Sequence, residues 1–194
     1  EGNMKQVGTP TITSPKRKTG YTRVTFQLDY ERFKVTPSFY RTIKQVLCRR
    51  ACDIAAITPL NVWFNGAKVA LKTYLPNNVS KQHPALYAYA SLLGGTHLTY
   101  ARLGDRWECV VLAVPGDAAY PLIPSFVNGV RSDEGGPFVE AVEKDFIAQL
   151  RKTVKARTKV DLRKSDIKAR VRILVNAQVE NPEFRTQTKR FCTS

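Results

Sequence analysis

The sequence predicts an α/β fold, and three observations carry the prediction. Short runs place apolar residues at every second position, as a half-buried strand does. Two long segments place them three or four apart, as one face of a helix does. Asn-Gly, Gly-Gly and Pro signals separate the two kinds of segment. The chain has 194 residues with 43% hydrophobic and 10% aromatic content, enough for one good core or two small ones.

Residues 1–20 are polar, with Lys16-Arg17-Lys18 and several Gly and Pro, and read as an exposed leading segment. Val24, Phe26 and Leu28 then alternate with Thr25, Gln27 and Asp29, which predicts a strand. Thr36-Pro37 reads as a helix N-cap with proline at the first helical position. Ile43, Val46, Leu47, Ile54 and Ile57 follow at helical spacing, and Thr58-Pro59 ends the helix because proline disfavours helical geometry in the residue before it. Arg41, Lys44, Arg49 and Arg50 make it basic. In the run 62–69, Asn65-Gly66 supplies the positive-φ pair of a two-residue hairpin. Leu75-Pro76-Asn77-Asn78 predicts a turn, and 84–93 a short helix ended by Gly94-Gly95.

Two strands are predicted over 107–114 and 123–130. Gly135-Gly136-Pro137 opens a helix to about Lys155. Its stripe is Phe138, Val142, Phe146 and Leu150, widened by Val139, Ile147 and Val154. Glu140 and Glu143 near its start and Arg151, Lys152 and Lys155 near its end suit the helix dipole. A last strand is predicted over 168–179, with Val171, Ile173, Val175, Ala177 and Val179 on one face and Lys168, Arg170 and Arg172 on the other.

No apolar run approaches the roughly 20 residues of a membrane helix, so no membrane partner is expected. The first residue is Glu and no signal-peptide pattern follows, so the chain reads as a piece of a longer one. Its 31 Lys plus Arg against 16 Asp plus Glu give a net charge of +15, which points to a polyanion, most often nucleic acid. Of Cys48, Cys52, Cys109 and Cys192 only the first two are close, and neither His83 nor His97 completes a zinc set. Reduced thiols and no metal site are expected.

Several stretches together resemble eukaryotic-type and viral type IIA DNA topoisomerases. They are Tyr21-Thr22-Arg23-Val24-Thr25-Phe26 with Asp29 and Phe33; Arg49-Arg50-Ala51-Cys52-Asp53-Ile54-Ala55; Val62-Trp63-Phe64-Asn65-Gly66; Asp105-Arg106-Trp107-Glu108-Cys109; Ser125-Phe126-Val127-Asn128-Gly129-Val130 with Gly135-Gly136; and Val175-Asn176-Ala177 leading into Asn181-Pro182 and Gln187-Thr188-Lys189. Their order and spacing over residues 21–189 make the match specific. The resemblance implies that residues 1–58 are the C-terminal edge of a GHKL-type ATPase domain and residues 59–194 most of a transducer domain. That domain is an α/β sandwich, a mixed sheet with helices on one face. Arg185, Arg190 and Phe191 stand where the family often has small or acidic residues, and Pro137-Phe138 where it usually has histidine.

The resemblance further implies that Gln187 and Lys189 bind the terminal phosphate of an ATP held by another domain, with Lys189 in the catalytic role. A point charge on a flexible four-carbon stem suits a phosphate that comes and goes, and Gln187 can donate a hydrogen bond to a phosphate oxygen. Phosphoryl transfer depends on positive charge where negative charge accumulates. ATP and Mg2+ are the implied cofactors, bound mainly outside this chain. In the family the catalytic glutamate and the magnesium-binding asparagine lie upstream, and the DNA-cleaving tyrosine far downstream. These 194 residues alone are therefore expected neither to hydrolyse ATP nor to cleave DNA. The implied partners are double-stranded DNA, a second copy in a homodimer, and the ATPase and DNA-cleavage domains of the same polypeptide. The implied compartment is the nucleus or another site of viral or organellar DNA.

Residues 151–170 contain nine Lys or Arg and two Asp. Lys152, Lys155, Arg157, Lys159, Arg163 and Lys164 are the DNA-binding candidates. The family has a lysine-rich loop facing the DNA cavity at the equivalent place, and Lys155, Arg157 and Lys159 match it best. Such phosphate contacts give affinity without sequence readout, and interleaved aromatics for base stacking are missing. Two other readings stand beside this one. The first is a non-catalytic nucleic-acid-binding module of ribosomal-protein-like α/β fold. The second is the equivalent domain of a mismatch-repair GHKL ATPase, against which the Asn-Pro-x-Phe and Arg-Trp-Glu segments argue.

Overall fold

The computed structural model describes residues 8–12, 20–71, 84–94, 97–115 and 123–194. The turn expected at Leu75-Pro76-Asn77-Asn78 lies outside them. Two compact units result, Glu1–Tyr40 and Arg41–Ser194. In the first, the expected strand around Val24, Phe26 and Leu28 does not form; Val24 and Phe26 are 80% and 76% exposed. Alternation marks a face, but a strand exists only against a partner, and none pairs with these residues among those described. They lead into a turn closed by Phe33 N–H to the Asp29 carbonyl (3.0 Å) and by Arg32 N–H to Asp29 Oδ1 (2.9 Å).

Helix α1 spans Pro37–Ile57. Thr36 Oγ1 accepts from Phe39 N–H at 3.2 Å, the N-cap that the sequence predicts. At the other end Thr58 Oγ1 donates to the Ile54 carbonyl at 2.8 Å. Its buried residues are Ala51, Asp53 and Ala56, whereas Val46, Leu47 and Ile54 of the expected stripe are exposed. The hairpin of β1 (Trp63–Phe64) and β2 (Ala67–Lys68) turns on Asn65 and Gly66 at φ 48° and 78°, as Asn-Gly requires.

Helix α2 spans Pro84–Leu92. The main sheet follows: β3 (His97–Leu103), β4 (Trp107–Ala113), β5 (Ser125–Val127), β6 (Val130–Ser132) and β7 (Val171–Ala177). Helices α3 (Pro137–Thr158) and α4 (Lys164–Arg170) lie between β6 and β7 in sequence. The strand order is β3-β4-β7-β5-β6. All neighbours are antiparallel except β5 and β7, which are parallel. The expected α/β class and mixed sheet are therefore present.

Three further element assignments change. β3 is not legible as a strand in sequence, because its apolar alternation is broken by Arg102. The run read as one strand over 123–130 is a hairpin, since Asn128 and Gly129 take φ 49° and 79° and reverse the chain. The last strand begins at Val171. Residues 164–170 are helical, with Asp166 in the first turn, Lys168 and Arg170 in the last, and Ile167 buried as the anchor. This charge order suits a helix dipole, and it removes Lys168 and Arg170 from the strand face expected to carry them.

Helices cover both faces of the sheet, where one face was expected. On one, Val110, Leu112, Phe126 and Leu174 pack with Ala56 of α1 and Leu86, Tyr89 and Ala90 of α2. On the other, Cys109, Val127, Ile173 and Val175 pack with Phe138 of α3 and with Cys192. Strand β7 is thus buried on both sides, and its Leu174 has no exposed surface. Each fully buried side chain of this size contributes about 1.5–3 kcal/mol. No described helix is long and apolar enough to cross a membrane.

Candidate functional site

The segment after β7 is a closed, tethered loop. Asn128, in the β5–β6 turn, grips its start: the side-chain amide donates to the Val179 carbonyl and accepts from Val179 N–H, both at 2.8 Å. The chain turns at Asn181 (φ 47°), and Phe184 then bridges Cys192 in antiparallel fashion. Arg185 N–H donates to the Phe191 carbonyl (3.1 Å) and Thr193 N–H to the Glu183 carbonyl (2.8 Å), closing the base. At the tip the hydroxyls of Thr186 and Thr188 stand 2.8 Å apart. Lys189 N–H donates to the Thr186 carbonyl at 2.9 Å, with Lys189 itself in the left-handed region (φ 58°).

The returning limb is bound to the turn between β6 and α3. Ser132, fully buried, directs its hydroxyl at the carbonyls of Arg190 (2.8 Å) and Gly135 (2.9 Å). Glu134 N–H donates to the same Arg190 carbonyl (2.8 Å), and Cys192 N–H to the Gly135 carbonyl (3.0 Å). Gly136 sits at φ 145°, and a Cβ there would collide with the Cys192 carbonyl. Glycine is needed at this position because the loop backbone passes where a side chain would be.

The loop backbone is fixed by these bonds. Gln187 and Lys189 are exposed. The Lys189 ammonium lies 5.5 Å from the Phe184 ring centroid, within cation–π range, and has no acidic partner among the described residues. Arg185 stacks on Phe191 at 4.0 Å, and Arg190 meets Glu134 at 3.4 Å. An unpaired, solvated cation on a braced loop suits an incoming phosphate. Among the described residues no three His, Cys, Asp or Glu converge as a metal set.

On the opposite side of β6 a buried polar cluster joins three elements. Asp53 of α1, 4% exposed, accepts from Tyr89 OH at 2.6 Å on Oδ1. Arg131 of β6 donates to Asp53 Oδ1 and Oδ2 at 3.1 and 3.3 Å and to Tyr89 OH at 3.1 Å. Its Nε donates to Asp133 at 2.6 Å. Burial, followed by the hydrogen bond to Asp53, pushes the Tyr89 phenol up to about 12. Burial works to lower the Arg131 guanidinium, but the Asp133 hydrogen bond and the Asp53 charge outweigh it and hold it above its ordinary value.

The basic candidates occupy three settings. Lys152, Lys155 and Arg157 end α3, Lys159 and Arg163 lie in the connection, and Lys164 opens α4; all are exposed. A cleft of about 940 Å3 between the two helices gathers Lys152, Lys155 and Lys164 with Lys144, Arg151 and Lys168. Arg157, Lys159 and Arg163 do not line it. Part of the charge is spent internally: Asp161 takes Arg151 at 2.9 Å and Lys155 at 3.1 Å, and Glu143 takes Lys168 at 2.6 Å. The Lys155 and Arg151 hydrogen bonds hold the Asp161 carboxyl below its usual range.

Sequence reasoning missed Asn128, Ser132 and the Asp53–Tyr89–Arg131 cluster. Asn128-Gly129 carries the same turn signal as Asn65-Gly66 and was there to be used. Asp53 stands among small residues in a basic helix, a charge at a position that packs, which is a weaker signal.

A family model described as DNA gyrase B matches residues 116–194. DNA topoisomerase 2 of Saccharomyces cerevisiae is 30% identical over 204 residues, covering 100% of this chain and 14% of that protein. DNA topoisomerase 2-alpha of Homo sapiens is 30% identical over 198 residues, covering 96% and 12%. Among solved structures, the ATPase region of Saccharomyces cerevisiae topoisomerase II matches in fold at a TM-score of 0.61 with 23% identity, over 86% of this chain and 39% of that one. The ATPase and transducer domains of DNA topoisomerase II from Balamuthia mandrillaris match at 0.53 with 28% identity, over 77% and 35%. The chain thus spans about one seventh of the length of the curated relatives.

Proposed function

We propose that this chain, which is similar to type IIA DNA topoisomerases over its length, couples ATP binding and hydrolysis to the capture and passage of a DNA duplex. In this reading residues 1–58 form the edge of an ATPase domain and residues 59–194 a transducer. Lys189 meets the terminal phosphate of an ATP held with Mg2+ by residues outside the chain, and Gln187 adds a hydrogen bond. Lys152, Lys155, Arg157, Lys159, Arg163 and Lys164 face DNA. The protein works as a homodimer, with the ATPase and DNA-cleavage domains on the same polypeptide, in a compartment that holds DNA, the nucleus first.

The observation that carries the reading is the braced loop with an unpaired ammonium. Its backbone is tied at Asn128, Ser132 and Gly135, while Lys189 has no carboxylate to leave among the described residues. Positive charge held in place before the reaction stabilises charge that develops during it. A phosphate that departs also removes the partner of Lys189, so the same contact reports turnover to the sheet.

Hydrogen exchange on the full-length protein tests this. Adding a non-hydrolysable ATP analogue is expected to slow exchange over residues 185–191 and to leave the core of β7 unchanged. Exchange in the loop that is indifferent to nucleotide contradicts the coupling role. Nucleic-acid binding by the chain that is salt-sensitive yet unaffected by the ATPase domain favours a simple binding module instead.

A further inference from the structure

Arg131 and Ser132 are neighbours on β6 and serve opposite layers. Arg131 pairs with Phe126 and Ser132 with Ser125. Arg131 therefore shares the face on which Phe126 packs against Tyr89, with ring centroids 6.1 Å apart. Ser132 lies on the other face and holds the Arg190 carbonyl. Among the described residues strand β6 is three residues long and stands at the edge of the sheet, with β5 as its one strand neighbour. Three residue pairs hold an edge strand weakly, and segments of this kind occupy the low-stability end of a structure. What further fixes β6 is side-chain bonding: Arg131 to Asp53 and Tyr89 on one side, Ser132 to the loop on the other.

A buried ion pair is a poor stabiliser compared with apolar residues of the same volume, and its best-attested use is to fix one arrangement against others. The cluster here is shaped for that use. Asp53 Oδ1 takes both the Tyr89 hydroxyl and Arg131, while Oδ2 takes Arg131 and, at 3.3 Å, Arg50. Arg131 spends its Nε on Asp133. Its Nη1 and Nε are thus both directed, and a displacement of α1 moves the acceptor on which β6 is oriented.

We propose that the Asp53–Tyr89–Arg131 cluster is a positioning device for Lys189, which sets β6 and, through Ser132 and the Arg190 carbonyl, the placement of the loop tip. This rests on the reading that Lys189 meets the terminal phosphate. None of the three side chains touches nucleotide. They act through the residue that does, and they give helix α1 a handle on it.

A double-mutant cycle in the full-length protein tests the device. Steady-state ATP hydrolysis and equilibrium nucleotide binding are measured for Asp53→Asn, Lys189→Ala and the combination. Asp53→Asn is expected to lower kcat about 2- to 30-fold, to leave nucleotide affinity unchanged, and to have no further effect once Lys189 is Ala. Arg131→Lys, which keeps the charge and loses the fork, is expected to fall between wild type and Asp53→Asn. Should Asp53→Asn not fold, Tyr89→Phe, which deletes one hydroxyl, is read in the same cycle and is expected to give a smaller loss that also vanishes in the Lys189→Ala background. If Lys189→Ala lowers turnover but the Asp53→Asn loss multiplies with it, or if Asp53→Asn reduces thermal stability alone, the positioning role is overturned and the phosphate reading stands. Unchanged turnover in Lys189→Ala overturns the phosphate reading itself, and the positioning role with it.

Discussion

The hydroxyl of Ser132 stands 2.8 Å from the carbonyl of Arg190, a bond that ties the edge of the sheet to the residue next to Lys189. Backbone and side chain are thereby separated in function: the peptide at 190 is fixed, and the ammonium at 189 stays free to meet a ligand. Replacing Ser132 with Ala leaves the Arg190 carbonyl to Glu134 N–H alone. The expected cost is about 0.5–1.5 kcal/mol, read as a lower midpoint in thermal or denaturant unfolding.

Gly136 is the second fixed point. Its φ of 145° and its contact with the Cys192 backbone leave no room for a methyl group. Gly136→Ala is expected to destabilise by about 1–3 kcal/mol from the backbone conformation alone, with the collision added. Gly129→Ala in the exposed turn meets no neighbour within 4 Å and is expected to show the conformational part only. Chemical unfolding of the pair separates the two contributions.

Tyr89 gives the cluster a signature at high pH. An unfolded tyrosine titrates near 10, whereas this one is pushed up to about 12. Between these values the unfolded chain binds fewer protons than the folded one, so stability falls as pH rises. The contribution is whole below about pH 10 and gone above about pH 12. Tyr89→Phe is expected to flatten that part of the stability profile, measured as the difference between variant and wild type. Tyr100, raised by burial and its bond to Glu108, keeps a remainder in both.

The basic cleft predicts unequal contributions to DNA affinity. Lys152 and Lys164 carry no ion pair among the described residues, whereas Lys155 is engaged by Asp161 at 3.1 Å. Lys152→Ala and Lys164→Ala are each expected to reduce the slope of log affinity against log salt by about one. Lys155→Ala is expected to reduce it less, because binding must first release the Asp161 contact. Titration of one duplex at several salt concentrations distinguishes them.

Legibility in the sequence followed how local each cause is. Thr36-Pro37, Asn65-Gly66 and Gly135-Gly136-Pro137 encode their structure within a few residues, and the caps and turns stand where those residues predict. The helix over 164–170 was hidden because Lys168, Arg170 and Arg172 also alternate as a strand does. What decides between the two is Ile167, which needs a helical turn to reach its buried position. The run over 123–130 was hidden by reading its apolar residues and passing over Asn128-Gly129. Lys189 and Gln187 were reached through the order of several short motifs and not through any property of either residue. The cluster of Asp53, Tyr89 and Arg131 spans 78 residues in sequence and depends on the register of β6, which no local pattern reveals.

If Lys189 acts on a phosphate bound elsewhere in the protein, removing its ammonium slows turnover without loosening the nucleotide. The most direct measurement is steady-state ATP hydrolysis by the full-length Lys189→Ala variant, with nucleotide affinity measured on the same preparation. The expected result is a fall in kcat of at least about tenfold, about 1.4 kcal/mol of transition-state stabilisation, with nucleotide affinity changed far less. Wild-type turnover in that variant would contradict it.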